Sequence, residues 1–153
     1  MKQIGLGEIL RKHQGERICV VGTMCCGKTT IIKQLPDYNC VDMDDEFWVQ
    51  ISKEEMERLS LKPITKEIMD RIYELVYQKI SVKPGRPLFG VVILDCEVVV
   101  YLNISKKLLA QHCFQRGDTD YQDALFVKKY LENDLKCHEK RAEKVFYYLD
   151  VSR

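Results

Sequence analysis

The stretch "VVGTMCCGKTT", which runs from Val20 to Thr30, decides the fold through the spacing of four of its residues. These residues form the pattern Gly22-x-x-x-x-Gly27-Lys28-Thr29. In loops with this pattern the backbone N–H groups surround phosphate, the lysine neutralises phosphate charge, and the threonine hydroxyl binds Mg²⁺. The pattern therefore predicts a phosphate-binding loop. Its candidate nucleotide contacts are Gly22, Thr23, Met24, Cys25, Cys26, Gly27, Lys28, Thr29 and Thr30.

The flanking residues give this loop its expected structural setting. The apolar run 18–21 predicts a strand, and "KTTIIKQL", which ends before Pro36, predicts a helix. A phosphate-binding loop requires this order of strand, loop and helix. A glycine-rich turn with a chance lysine is therefore the weaker interpretation.

Three carboxylates follow the next predicted strand, Asn39–Val41. Asp42 and Asp44 are expected in the same crevice as Lys28, because open parallel sheets bind ligands beyond the carboxyl ends of their strands. One carboxylate can hold Mg²⁺, and the other can bind an acceptor hydroxyl and take its proton. The alternative is a solvated turn, and we expect Asp45 to cap the following helix.

The rest of the chain alternates strands and helices over a single-domain length of 153 residues. Ser52 and Thr65 predict helix N-termini, and Gly117 suits a helix end. A long helix is predicted from Tyr121, followed by a last strand over 146–149. The apolar stripe of that helix consists of Ala124, Val127, Leu131, Leu135, His138 and Ala142. This order predicts one domain over 1–153 with a three-layer α/β/α fold and a mainly parallel five-stranded sheet.

Residues 80–104 leave two interpretations open. "VVILD" and "EVVVYLNI" both resemble buried strands, but only Asp95, Cys96 and Glu97 lie between their apolar parts, and parallel neighbours need a crossover of roughly a dozen residues. Either the run is one long strand, or the third strand is Ile80–Val82 and the fourth is Glu97–Leu102. We prefer the second interpretation.

Composition and charge narrow the possible partners. The formal net charge of +1 gives no general attraction to nucleic acid or to an anionic membrane, so we expect neither as a partner. The opening segment "MKQIGLGEILRKHQGER" is too charged for a secretory signal, and no apolar run approaches membrane-spanning length. We therefore expect a cytoplasmic protein.

The seven cysteines show no C-x-x-C spacing, so neither a disulfide framework nor a zinc module is predicted. Cys25 and Cys26 are expected at a helix N-terminus near Lys28, a setting in which thiols are reactive. Adjacent cysteines do not readily form an unstrained disulfide. Oxidation that inhibits nucleotide binding is therefore a better hypothesis for them than thiol catalysis.

Several segments resemble a known family. "VVGTMCCGKTT" followed by "CVDMDDEFW" resembles the shikimate kinase and gluconate kinase branch of the P-loop small-molecule and nucleoside monophosphate kinases, as does "EVVVYLNISKKLLAQHCFQRG". The resemblance covers Arg17 to about Asp118, with a gap in the middle. It implies a P-loop NTPase fold and ATP- and Mg²⁺-dependent phosphoryl transfer to a small-molecule acceptor.

The resemblance also implies roles for individual residues. Lys28 would contact the nucleotide phosphates, Thr29 and Asp42 would hold Mg²⁺, and Asp44 would bind the acceptor. Arg116 would reach the transferring phosphoryl group when a lid around 116–122 closes, a role that can change the rate roughly 10³–10⁵-fold. A helix-end cation stabilised by the helix dipole is an equal alternative for Arg116.

The chain departs from the family in three places. Cys25 stands where the family usually has glycine, and a positive φ there would cost about 1–3 kcal/mol. The triple-glycine acceptor loop of shikimate kinases is absent, with only Pro84-Gly85-Arg86 near its expected position. Because the chain stops at Arg153, we expect it to lack the terminal helix and most of the adenine-contacting loop.

Two other functions stay open. A nucleoside monophosphate kinase usually needs several arginines for the second phosphate, and between residue 47 and Arg116 the chain offers only Arg58, Arg71 and Arg86. That supply favours a less phosphate-rich acceptor, for whose anionic groups Arg86 is a further candidate. The other alternative is a non-catalytic nucleotide-binding module. The departures at Cys25 and at the C-terminus favour this alternative, whereas the intact Lys28 argues against it. The guanine signature of GTPases is absent.

Overall fold

The computed structural model describes residues 5–141 and 143–152. Ala142, predicted on the stripe of the long helix, and Arg153 lie outside the described residues. The helices are α1 (Leu6–Lys12), α2 (Lys28–Lys33), α3 (Met43–Phe47), α4 (Lys53–Leu59), α5 (Lys66–Lys79), α6 (Lys106–Arg116) and α7 (Tyr121–Lys140). The strands are β1 (Ile18–Val21), β2 (Val41–Asp42), β3 (Leu88–Gly90), β4 (Val98–Ile104) and β5 (Val145–Val151).

The five strands form one parallel sheet in the order β2-β3-β1-β4-β5. The chain leaves β1 for the edge strand β2, returns to β3 beside β1, and then continues on the other side of β1 through β4 to β5. The direction of winding therefore reverses around β1, and open α/β sheets bind their ligands at such a point. The predicted parallel five-stranded sheet is confirmed.

Alternating side chains of the central strands build a core on each face of the sheet. Val21 of β1 faces one core together with Val76 of α5, whereas Val20 faces the other together with Leu109 of α6. This period of two is expected for a strand that is covered on both faces. Helices cover both faces, and the predicted three-layer arrangement is confirmed.

The third strand differs from both sequence interpretations. It is Leu88–Gly90, whereas Ile80 caps the end of α5, and the buried residues 92–94 do not form a strand. Two tyrosines of α5 stabilise this part of the chain, because the hydroxyl of Tyr73 donates to the Val91 carbonyl at 3.0 Å and that of Tyr77 donates to the Ile93 carbonyl at 3.0 Å. These backbone carbonyls therefore accept hydrogen bonds from side chains instead of from a neighbouring strand.

Several local signals are confirmed, and others need correction. The hydroxyls of Ser52 and Thr65 cap α4 and α5, and Gly117 ends α6 in the left-handed conformation. The cap of α3 is Asp42, not Asp45 as the sequence suggested, because the Asp42 carboxylate accepts the Asp44 N–H at 3.0 Å. The predictions did not include α1 at all. Within the described part of the chain, no helix has both the length and the apolar character needed to cross a membrane.

Candidate functional site

Two residues of the loop between β1 and α2 have a backbone conformation that favours glycine. Gly27 has a φ of +99°, and Cys25 has a φ of +62°. Glycine adopts this region freely, but a residue with a Cβ is strained there by about 1–3 kcal/mol. The positive φ considered for Cys25 is therefore present, and the loop keeps its shape at a cost in stability.

Lys28 lies under this loop. Its ammonium group donates to the carbonyl oxygens of Gly22 and Thr23, both at 2.7 Å. The contacts fix the charge at the loop, where it can meet a phosphate that the loop encloses. Lys28 is thus both a structural support of the loop and its main source of positive charge.

The two cysteines of the loop have different surroundings. Cys26 is fully buried, and a Cβ added to Gly22 would lie only 2.6 Å from its sulfur. Cys26 therefore fills space beneath the loop and requires a glycine at position 22. Cys25 is partly exposed and lies in the wall of the cavity described next.

A cavity of about 1040 Å³ lies over the loop. Its lining includes the loop itself with the start of α2, the turn after β2, and the end of α6, together with residues from other elements. The fold thus brings together the side chains proposed for nucleotide, metal, acceptor and phosphoryl group. These are Lys28, Thr29, Asp42, Asp44 and Arg116.

Two of the predicted nucleotide contacts do not line this cavity. Gly22 is buried at the start of the loop, and Thr23 is 1% exposed. The Thr23 hydroxyl donates to the Ala124 carbonyl of α7 at 2.6 Å, so its side chain holds the loop to that helix. The other predicted contacts, residues 24–30, all line the cavity.

Asp42 is half-buried beside two further carboxylates. Burial raises its pKa above the ordinary value of a carboxyl group, and the charges of Asp44 and Asp45 act in the same direction. The Asp44 N–H and the Lys28 charge oppose this rise. The cost of an ionised Asp42 decreases when a cation binds beside it, as expected for a carboxylate near a metal.

Arg116 and His112 connect α6 to the loop through the same residue. The Arg116 guanidinium lies 3.6 Å from the sulfur of Cys25 and pairs with Asp118 at 2.9 Å. His112 Nδ1 donates to the Cys25 carbonyl at 2.7 Å. The sequence interpretation found no role for His112. The only available signal was its spacing of four residues from Arg116, which places both on one face of a helix.

The cavity is also lined by residues that no motif indicated. They include 149–152, at and directly after the end of β5, and Gln115 of α6. These groups come from elements far from the loop in sequence. Only the folded chain shows that they face the same space.

Solved structures of P-loop kinases share this fold. A gluconokinase from Sinorhizobium meliloti 1021 matches with a TM-score of 0.50 at 17% identity, over 91% of this chain and 84% of that chain. A deoxyadenosine kinase from M. mycoides, solved with its products dCMP and a flexible dCDP bound, matches with a TM-score of 0.51 at 16% identity, over 88% of this chain and 90% of that chain.

A shikimate kinase from Bacteroides thetaiotaomicron is less similar, with a TM-score of 0.42 at 14% identity over 86% of this chain and 85% of that chain. No protein-family profile and no curated protein sequence matches the chain. The gluconokinase and deoxyadenosine kinase structures show that the chain has the fold of the P-loop kinases. Likeness at this level of identity defines the fold and leaves the reaction to be argued from the site.

Proposed function

We propose that the protein is an ATP- and Mg²⁺-dependent kinase that phosphorylates a hydroxyl group of a small-molecule acceptor. The observation that carries the proposal is the convergence of Lys28, Asp44 and Arg116 on one cavity at the reversal point of the sheet. A phosphate-binding lysine alone would fit many nucleotide-binding proteins. A carboxylate and an arginine opposite it add the groups that phosphoryl transfer needs.

The loop side of the cavity fits a nucleotide with its metal. Residues 24–30 would surround the phosphates, and Lys28 would neutralise part of their charge. The Thr29 hydroxyl and the Asp42 carboxylate, hard oxygen ligands of the kind Mg²⁺ prefers, would hold the ion together with the nucleotide. When bound, Mg²⁺ supplies charge neutralisation for the phosphates.

The other side of the cavity fits the acceptor. Asp44 is exposed at the start of α3, where its carboxylate can accept a hydrogen bond from an acceptor hydroxyl and take up the proton. Arg116 would stabilise the charge of the transferring group. We propose that residues 116–122 form the lid, which consists of the last residue of α6, a four-residue turn and the start of α7.

The three arginines considered for a second phosphate do not line the cavity, which favours an acceptor without a phosphate group. Arg58 and Arg71 both pair with Glu55, at 3.9 and 2.6 Å, and Arg86 pairs with Glu46 at 3.8 Å. A phosphate clamp needs guanidinium groups that reach two phosphate oxygens at once. Because these three arginines lie outside the cavity lining, the site favours a hydroxyl compound without a phosphate group over a nucleoside monophosphate.

Phosphoryl transfer from radiolabelled ATP to a panel of acceptors tests this function. The panel contains nucleosides, sugars and polyols, with nucleoside monophosphates as the competing class. We expect Lys28→Ala to lower transfer roughly 10²–10³-fold, while Lys33→Ala, which removes an exposed lysine of α2 outside the cavity, leaves transfer unchanged. Circular dichroism checks that both variants are folded.

Each alternative gives its own outcome in this experiment. Transfer by Lys28→Ala at the wild-type rate would contradict the proposed role of the loop. Transfer to nucleoside monophosphates alone would identify the other kinase class. ATP binding without transfer or hydrolysis would favour a non-catalytic module.

A further inference from the structure

Two cysteines from different elements meet beside the phosphate loop. Cys113 lies on α6 between His112 and Arg116, and both of these contact Cys25 of the loop. Cys25 packs against the apolar cluster that contains Cys113. Burial, together with interaction with the Cys25 thiol, raises the pKa of Cys113 to about 11. The two thiols are therefore neighbours, although 88 positions separate them in the chain.

The two thiols differ in their exposure to solvent. Cys25 is partly exposed in the cavity wall and lies next to the Arg116 guanidinium, the electropositive setting in which cysteines react. Cys113 is 3% exposed and has the protein core around it. A small oxidant from solvent therefore reaches Cys25 first, and Cys113 is positioned to react with the product.

We propose that Cys25 and Cys113 form a reversible disulfide that joins the phosphate loop to α6 when a peroxide oxidises Cys25. In the first step the Cys25 sulfur bonds to one peroxide oxygen, the O–O bond breaks, and a sulfenic acid forms with release of water. In the second step the Cys113 sulfur attacks that sulfur, the S–O bond breaks, and the Cys113 proton leaves with the oxygen as water. The two thiols together lose two electrons, which the peroxide takes up.

Cys26 is excluded as the partner by its position. It is adjacent to Cys25 in the chain, where a disulfide is strained, and its sulfur packs closely against Gly22. A bond to Cys113 would instead fix residue 25 against α6 at the cavity wall. This inference does not depend on the proposed kinase function, because it concerns only the chemistry of the two thiols.

Mass spectrometry of the peroxide-treated protein tests the disulfide. After oxidation under native conditions, free thiols are alkylated in denaturant without reductant, and the protein is digested with trypsin. We expect a linked pair of peptides, residues 18–28 with residues 108–116, that dithiothreitol separates. Residues 18–28 contain three cysteines, so variants assign the bond. Cys25→Gly should abolish the linked pair, and Cys26→Ala should retain it.

Glycine at position 25 suits the left-handed backbone, so Cys25→Gly is expected to fold. In Cys113→Ala, a sulfenic acid at Cys25 should persist and react with dimedone. A linked pair that survives in Cys25→Gly would overturn the proposal. Oxidation of Cys25 to sulfinic acid without any linked pair in the wild-type protein would also overturn it.

Discussion

At the scale of single residues, Cys25 combines a reactive thiol with a strained backbone. Its φ of +62° costs a residue with a Cβ about 1–3 kcal/mol. Glycine removes that strain but increases the entropy of the unfolded chain. We therefore expect Cys25→Gly to raise the free energy of unfolding by about 1 kcal/mol, as measured by urea denaturation.

Asn39 provides a matched control for this substitution. It also lies in the left-handed region, with a φ of +56°, but asparagine tolerates that region far better than most residues. Asn39→Gly should therefore change the free energy of unfolding much less than Cys25→Gly. A loss of stability in Cys25→Gly would mean that the thiol contacts with α6 outweigh the backbone strain.

Asp42 makes the stability of the protein depend on pH. Burial raises its pKa in the folded state, so the folded protein binds this proton more tightly than the unfolded chain does. The stabilisation is fully present below the ordinary pKa of aspartate and is lost as the pH rises through the raised pKa. Asp42→Asn keeps an oxygen that can cap α3 but removes the titration.

We therefore expect the stability of Asp42→Asn relative to the wild type to increase as the pH rises from about 3 to about 6. Urea denaturation of both proteins across this range measures the difference. A difference that stays constant with pH would show that burial does not perturb Asp42. The same variant should weaken Mg²⁺-dependent transfer if Asp42 holds the metal.

The site residues differ in how far the sequence could predict them. Lys28 and Thr29 belong to a local motif whose backbone shape depends on neighbouring residues, so their position at the start of α2 could be predicted. His112 contacts the loop only because β4, which precedes α6 in the chain, pairs with β1 in the folded sheet. No local pattern encodes that neighbourhood, and the interaction was therefore missed.

At the scale of elements, the end of β3 lies very close to α3. A Cβ added to Gly90 would lie 2.8 Å from the Met43 sulfur and 2.9 Å from the Met43 Cβ. Gly90→Ala must displace the start of α3, which follows Asp42 directly. We expect a loss of about 1–3 kcal/mol in the free energy of unfolding, and a fall in transfer because Asp42 and Asp44 move.

Gly7→Ala is the matched control, because a Cβ there would meet its nearest atoms at 3.7 and 3.8 Å, which is ordinary contact. Gly7 lies in the helix α1, so alanine should stabilise the protein by up to about 1 kcal/mol. Urea denaturation and the transfer assay measure both variants. If Gly90→Ala were as stable as the wild type, α3 would not be fixed by this close approach.

The bounds of β3 could not be located from the sequence. Residues 88–94 are continuously apolar, and a buried strand and a buried irregular segment have the same pattern. The strand ends at Gly90 because its partner β1 ends at Val21, where the chain turns into the loop. Another strand therefore determines where β3 ends, whereas the caps at Ser52 and Thr65 depend on local sequence and could be predicted.

At the scale of the whole molecule, α7 connects the phosphate loop to the segment that precedes α5. Ala124 accepts a hydrogen bond from Thr23 of the loop, and the adjacent Asp123 accepts one from the Ile64 N–H at 2.9 Å. Asp123 is 5% exposed, so the bond is shielded from water. The alternation of strands and helices predicted a parallel sheet, but not the strand order or this connection, because both depend on contacts between distant segments.

Because the loop contacts α6 and α7 as well as β1, nucleotide binding should stabilise the entire fold. A ligand that binds only the folded state at 100 times its Kd adds about 2.7 kcal/mol, which corresponds to a rise in Tm of roughly 5–10 °C for a chain of this size. We expect this rise for the wild type and for Lys33→Ala with saturating Mg-ATP, and a much smaller one for Lys28→Ala. Thermal denaturation followed by circular dichroism measures all three. An equal rise in Lys28→Ala would mean that the nucleotide binds elsewhere, because the loop would have lost its principal phosphate-binding charge.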